Sequence, residues 1–157
     1  MKQINIITAI WEESEINPSF KAGCDEILRF EEKYGFILPN DLRSYFLLLN
    51  GTNSKYDNNL FRFYSLDNFL PVREALDNWR GTPGYRQIVN TLKNPEECFV
   101  FSDYSFHLLI YAIRLNKFTS NENQVYIIQG SNYEVIANSF TQFLDFYIKD
   151  DSILASL

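Results

Sequence analysis

Residues 26–51 read EILRFEEKYGFILPNDLRSYFLLLNG. Two helices follow from this stretch. Ile27, Leu28, Phe30 and Tyr34 form the apolar side of the first, which the pattern predicts over 24–34. Asp25, Glu26, Arg29, Glu31, Glu32 and Lys33 form its solvated side. Gly35 ends it, because glycine enters the left-handed conformation of a helix C-terminus without steric cost. Pro39 suits the first turn of the next helix, where its missing N–H is not needed. Leu42, Tyr45, Phe46 and Leu49 then recur at i, i+3, i+4 and i+7, and Asn50-Gly51 stops the helix.

On the N-terminal side, Ile4, Ile7, Ile10 and Trp11 trace one face of a helix over 4–14, which Asn17-Pro18-Ser19 terminates. On the C-terminal side a polar loop, 52–59, leads to a short strand, LFRFYS (60–65). Pro71 opens a further helix with Val72, Ala75, Leu76 and Trp79 inward, Gly81-Thr82-Pro83-Gly84 breaks it, and 85–93 holds a helical turn. The period then changes. CFVFS (98–102), HLLIYAIRL (107–115), QVYIIQ (124–129) and YEVIA (133–137) are rich in β-branched and aromatic residues and read as strands, with Gly130-Ser131-Asn132 as a tight hairpin. Ser139-x-x-Gln142 is a capping box ahead of Phe140, Phe143, Leu144 and Tyr147, so a last helix covers the sheet. The expected fold is α+β: a mostly antiparallel sheet from the second half, packed by N-terminal helices and a C-terminal helix, in one domain spanning 1–157.

Fourteen Lys and Arg against 20 Asp and Glu give a net charge of −6. No basic run offsets it, which argues against direct nucleic-acid binding. Aromatic residues make up 17% of the chain, enough to build a core without cross-links. Cys24 and Cys98 form no C-x-x-C motif and read as free buried thiols. Neither a signal peptide nor an apolar run of membrane-spanning length is present, so the expected compartment is the cytoplasm and no membrane partner is expected. His107 is the only histidine and reads as structural or surface. No Ser or Cys stands in a nucleophile setting, and there is no phosphate-binding glycine motif. Adjacent carboxylates such as Glu12/Glu13 and Glu31/Glu32 point about 100° apart on a helix and read as solvated faces. No enzyme activity, cofactor or metal site is expected.

At fixed offsets within 26–51 stand E-x-x-x-G, LP, D-x-R and NG. Further on come FVFSD, a long hydrophobic strand, VYIIQG and IANSFTQFLDFYI. Over about 22–149 this pattern resembles the SUKH superfamily, the group of fungal cell-wall-synthesis regulators and many bacterial immunity proteins. The resemblance puts the family motif on Glu31, Gly35, Leu38, Pro39, Asp41, Arg43, Asn50 and Gly51. These positions have mainly structural work: Gly35 and Gly51 end helices, Pro39 starts one, Leu38 plugs the gap, and Glu31 reaches back to the unpaired N–H groups at the start of the third helix. One departure is the turn after FVFSD, where many relatives carry Gly-Asp and this chain carries Tyr104-Ser105-Phe106.

The function that this resemblance implies is binding. The expected partner is a cognate protein toxin, often a nuclease, and a basic one would suit the −6 charge. The alternative is a regulatory interaction module with no toxin partner. A surface that must match its toxin belongs on loops held by a rigid scaffold. The loop 52–59 and the turn 102–106 offer Tyr56, Asp57, Asp103 and Tyr104, with the acidic end at Asp145, Asp150 and Asp151 next in line.

Overall fold

In the computed structural model, which describes residues 1–157, all strand pairings are antiparallel and belong to one six-stranded sheet. Helices α1 (Lys2–Glu13), α2 (Cys24–Tyr34) and α3 (Asn40–Leu48) come first. Then come β1 (Phe61–Phe63), β2 (Leu70–Pro71), α4 (Val72–Leu76) and α5 (Ile88–Thr91). Strands β3 (Cys98–Tyr104), β4 (Leu109–Arg114), β5 (Val125–Gln129) and β6 (Asn132–Ala137) precede helix α6 (Phe140–Ile148). The strand order is β1-β3-β4-β5-β6, with β2 also paired to β3. The expected α+β architecture is the one observed.

The sheet is covered on both faces, which explains why β4 is apolar from Leu109 to Ile113. One face, with α1, α2, α3 and α6, builds a core of 32 buried residues that includes Trp11, Phe46, Phe63, Phe99, Phe101 and Phe143. The other face carries an 11-residue core that includes Val100, Ile110 and Ile128, roofed by Val72, Leu76, Tyr85, Ile88 and Leu92 from the 72–92 segment. Gln142 N–H donates to the Ser139 side chain, and the Gln142 side chain accepts from Asn138 N–H, so α6 is capped from both directions.

Several local expectations are corrected. Leu28 is 53% exposed, because it lies off the Ile27–Phe30 stripe of α2. Pro39 is the residue before α3, with extended backbone, and not part of its first turn. The helix after Pro71 stops at Leu76, so Trp79 lies beyond it. His107 belongs to the turn before β4, and β3 runs on to Tyr104, which places Asp103 in a strand. Tyr85 is part of the smaller core.

Cys98 is buried as expected, but Cys24 is exposed on the first turn of α2. Burial pushes the Cys98 thiol up to about 12, leaving almost no thiolate near neutrality. Iodoacetamide at mildly alkaline pH should therefore label one thiol per folded chain and two in denaturant, as read by intact mass. Two rapid adducts on the folded chain would show that Cys98 is accessible.

Candidate protein-binding site

A β-bulge decides the site. Phe99 and Phe101 point into the larger core, and strict alternation would send Asp103 there too. The register shifts between Val100 and Ser102, so Asp103 pairs with Ile110 and turns to the other face. There its carboxylate is fully buried, but it is not unpaired. Arg62, opposite it on β1, donates from Nε at 3.3 Å and from a terminal nitrogen at 2.7 Å. The Tyr56 hydroxyl donates at 3.1 Å, and His107 Nδ1 lies 2.8 Å away. A buried carboxylate persists when its lone pairs are taken up in this way. Burial, and next the Asp103 charge, raise the Tyr56 hydroxyl above its ordinary value, so it remains a donor.

This network holds an unusual turn. Ser105, Phe106 and His107 all have positive φ, at 47°, 54° and 66°. Left-handed backbone is disfavoured for such residues by about 1–3 kcal/mol each, and persists where its surroundings over-determine it. Here Ser105 N–H donates to Leu60 O at 2.9 Å. The Tyr85 hydroxyl donates to the carbonyls of His107 and Leu108, at 2.7 and 3.2 Å. The His107 ring stacks on Trp79 at 4.4 Å. The turn thrusts Phe106 outward, 66% exposed, with its ring 4.5 Å from that of Tyr56. Leu60 and Leu108 flank it, 41% and 42% exposed. The Arg62 guanidinium lies over the Tyr56 and Tyr64 rings, at 4.8 and 5.5 Å, and faces a groove of about 630 Å³ bordered by Phe20, Asn53 and Asp67.

An Asp–His pair is two of the three members of a nucleophilic triad, but no Ser, Thr or Cys side chain is hydrogen-bonded to His107. No three His, Cys, Asp or Glu side chains gather to hold a metal ion. The arrangement is instead a rigid mount for exposed aromatic and aliphatic side chains.

Of the four residues singled out on loops, the structure brings Tyr56 and Asp103 into direct contact and leaves Tyr104 half-buried against Phe61, ring to ring at 5.1 Å. Neither acidic group of the two segments lies on the surface. Asp57 is buried as well, accepting from Asn59 N–H, Phe61 N–H and the Tyr147 hydroxyl. Both carboxylates satisfy donors inside the protein, so neither presents its charge outside. Asp145 is held by Gln3, at 2.9 Å, whereas Asp150 is exposed. Nothing in the sequence singles out Arg62, Trp79 and Phe106 for this site, and His107 reads there only as structural or surface, because the four meet only through the β1–β3 register and the packing of the 72–92 segment.

The positions 31–51 form a separate structural unit. Glu31 accepts from Leu38 N–H at 3.0 Å and from Arg43 at 2.7 Å, tying α2 to the entrance of α3. Asp41 accepts from the backbone and hydroxyl of Thr141, at 2.8 and 2.9 Å, which links α3 to α6. The Asn50 side chain bridges Phe20 O and Leu66 N–H. Gly51 has φ +92°, and a Cβ there would come within 2.7 Å of the Ser65 backbone, so only glycine fits. Gly35 closes α2 in the left-handed conformation.

The sequence model of the SMI1 / KNR4 family (SUKH-1) matches residues 21–145, most of the chain. The chain belongs to this family. A search of curated proteins finds no match. The SUKH-1 match takes in the α2–α3 unit, all six strands and the first two thirds of α6, and it leaves out α1. No helix of the chain is long and apolar enough to cross a membrane.

Proposed function

We propose that this SUKH-1 chain is an immunity protein, which binds a cognate polymorphic toxin in the cytoplasm of the cell that makes it and neutralises it by contact rather than by catalysis. The observation that carries this reading, beside the family, is the strained Ser105–His107 turn holding Phe106 exposed above a buried Asp103 hub. Strain of this kind is retained where it positions a surface, and rigid aromatic and arginine side chains anchor protein interfaces. A basic nuclease is the toxin class that the net charge of −6 suits best.

The test is co-expression with the toxin encoded beside this chain's gene. Growth should be rescued, and the two proteins should co-purify. A soluble, folded chain that fails to rescue growth would overturn the reading and favour the regulatory role of other family members.

A further inference from the structure

The exposed apolar tip is continuous with an acidic rim. Asn58 donates from its backbone to Ser14, at 3.0 Å, and from its side chain to Glu13 O, at 3.3 Å, which fixes the 56–60 loop against the end of α1. Leu60, two residues on, accepts from Ser105 at 2.9 Å, and Phe106 follows. From the other side the end of α6 closes in: Asp57 is bonded to Tyr147, and the Asp150 charge is near enough to raise the Asp57 carboxyl. The loop that carries Leu60 and holds the Phe106 turn is thus bonded to the end of α1, where Glu12, Glu13 and Glu15 are exposed, and to the end of α6, where Asp150 is exposed. Phe20 and Phe118 are also exposed but make no ring contact, whereas Phe106 is held by Tyr56 and loses less freedom on binding.

We infer that a basic protein partner docks on this end of the molecule, seating an apolar pocket on Phe106, Leu60 and Leu108 and placing its Lys and Arg residues against the rim formed by α1 and the chain after α6. The inference rests on the immunity reading and adds to it the face and the charge of the partner. An apolar centre that excludes water within a charged rim is the usual anatomy of a tight interface. The rim acts on encounter and salt dependence, and the centre acts on residence time.

Affinity for the purified toxin domain encoded beside this chain's gene, measured at low and moderate salt, tests the assignment. The triple reversal Glu12→Lys, Glu13→Lys, Glu15→Lys should weaken binding about 10-fold or more at low salt and flatten its salt dependence. Phe106→Ala, at an exposed position that should not unfold the chain, should weaken it about 10-fold or more at both salt levels. The matched reversal Asp25→Lys, Glu32→Lys, Glu96→Lys, at exposed positions on α2 and ahead of the start of β3, should change little. A wild-type complex that ignores Phe106→Ala and the first reversal, or that responds equally to the second, overturns the inference while leaving the immunity reading intact. Absence of any wild-type complex overturns both.

Discussion

Phe46→Ala should lower the stability of the fold by about 3–5 kcal/mol, the usual range for truncating a fully buried phenylalanine. Phe46 has no exposed surface and packs its ring 5.2 Å from Phe69 and 5.0 Å from Tyr45. Its own carbonyl accepts from Ala22 N–H at 3.0 Å, so a shift of α3 into the vacated volume would also disturb the chain entering α2. That coupling limits how far the site can collapse, and a cavity that cannot collapse keeps its full cost. For a chain of this size the melting temperature should fall by roughly 6–20 °C. An unchanged midpoint would show that the ring adds nothing to the larger core.

Asp57→Ala should cost a comparable amount, roughly 3–5 kcal/mol, by a different route. It strands two backbone N–H groups, of Asn59 and Phe61, and the buried Tyr147 hydroxyl, which also accepts from Trp11 at 3.1 Å. Each orphaned donor costs about 1–3 kcal/mol, partly offset because a buried charge is no longer needed. The effect has a pH signature. Burial raises the Asp57 carboxyl above its ordinary value, against the pull of its three donors. The folded chain therefore keeps a proton there in a window where the unfolded chain has lost it. The stability Asp57 contributes is full below the ordinary carboxylate value and declines as pH rises through the folded one. The gap between wild type and variant, measured by denaturant titration, should widen from about pH 7 to about pH 4. A gap that narrows would mean that the donors outweigh burial.

The elements were legible in the sequence wherever a single periodicity ran unopposed. Leu42, Tyr45, Phe46 and Leu49 announce α3, and Phe140, Phe143, Leu144 and Tyr147 announce α6, because each set lines one face of one helix. The site was only partly legible. Tyr56 and Asp103 could be picked out as loop-borne aromatic and acidic residues, but their contact spans 47 positions and depends on the β1–β3 pairing. Alternation puts Asp103 on the wrong face unless the bulge is known, and nothing in CFVFSDY marks where the extra residue falls. The left-handed turn carries no glycine to signal it, since tertiary bonds to Leu60, Tyr85 and Asp103 hold it in place of local propensity. The burial of Asp57 and Asp103 was missed because a loop carboxylate reads as solvated until the donors around it are known.

The unequal cores on the two faces of the sheet imply a hierarchy of opening events. The smaller core is roofed by one continuous stretch with helices of only five and four residues, so the 72–92 segment should open more readily than the larger core. Its amides then belong to a faster hydrogen-exchange tier than those of α3 or β4. Trp79 stacks on His107 and Tyr85 holds the carbonyls beside it, so opening of this segment should remove two of the contacts that hold the Phe106 turn and leave those from Leu60 and Asp103. Under the docking inferred above, a partner seated on Phe106 should slow hydrogen exchange across 72–92, and unchanged exchange in the complex would show that the turn and the segment open independently.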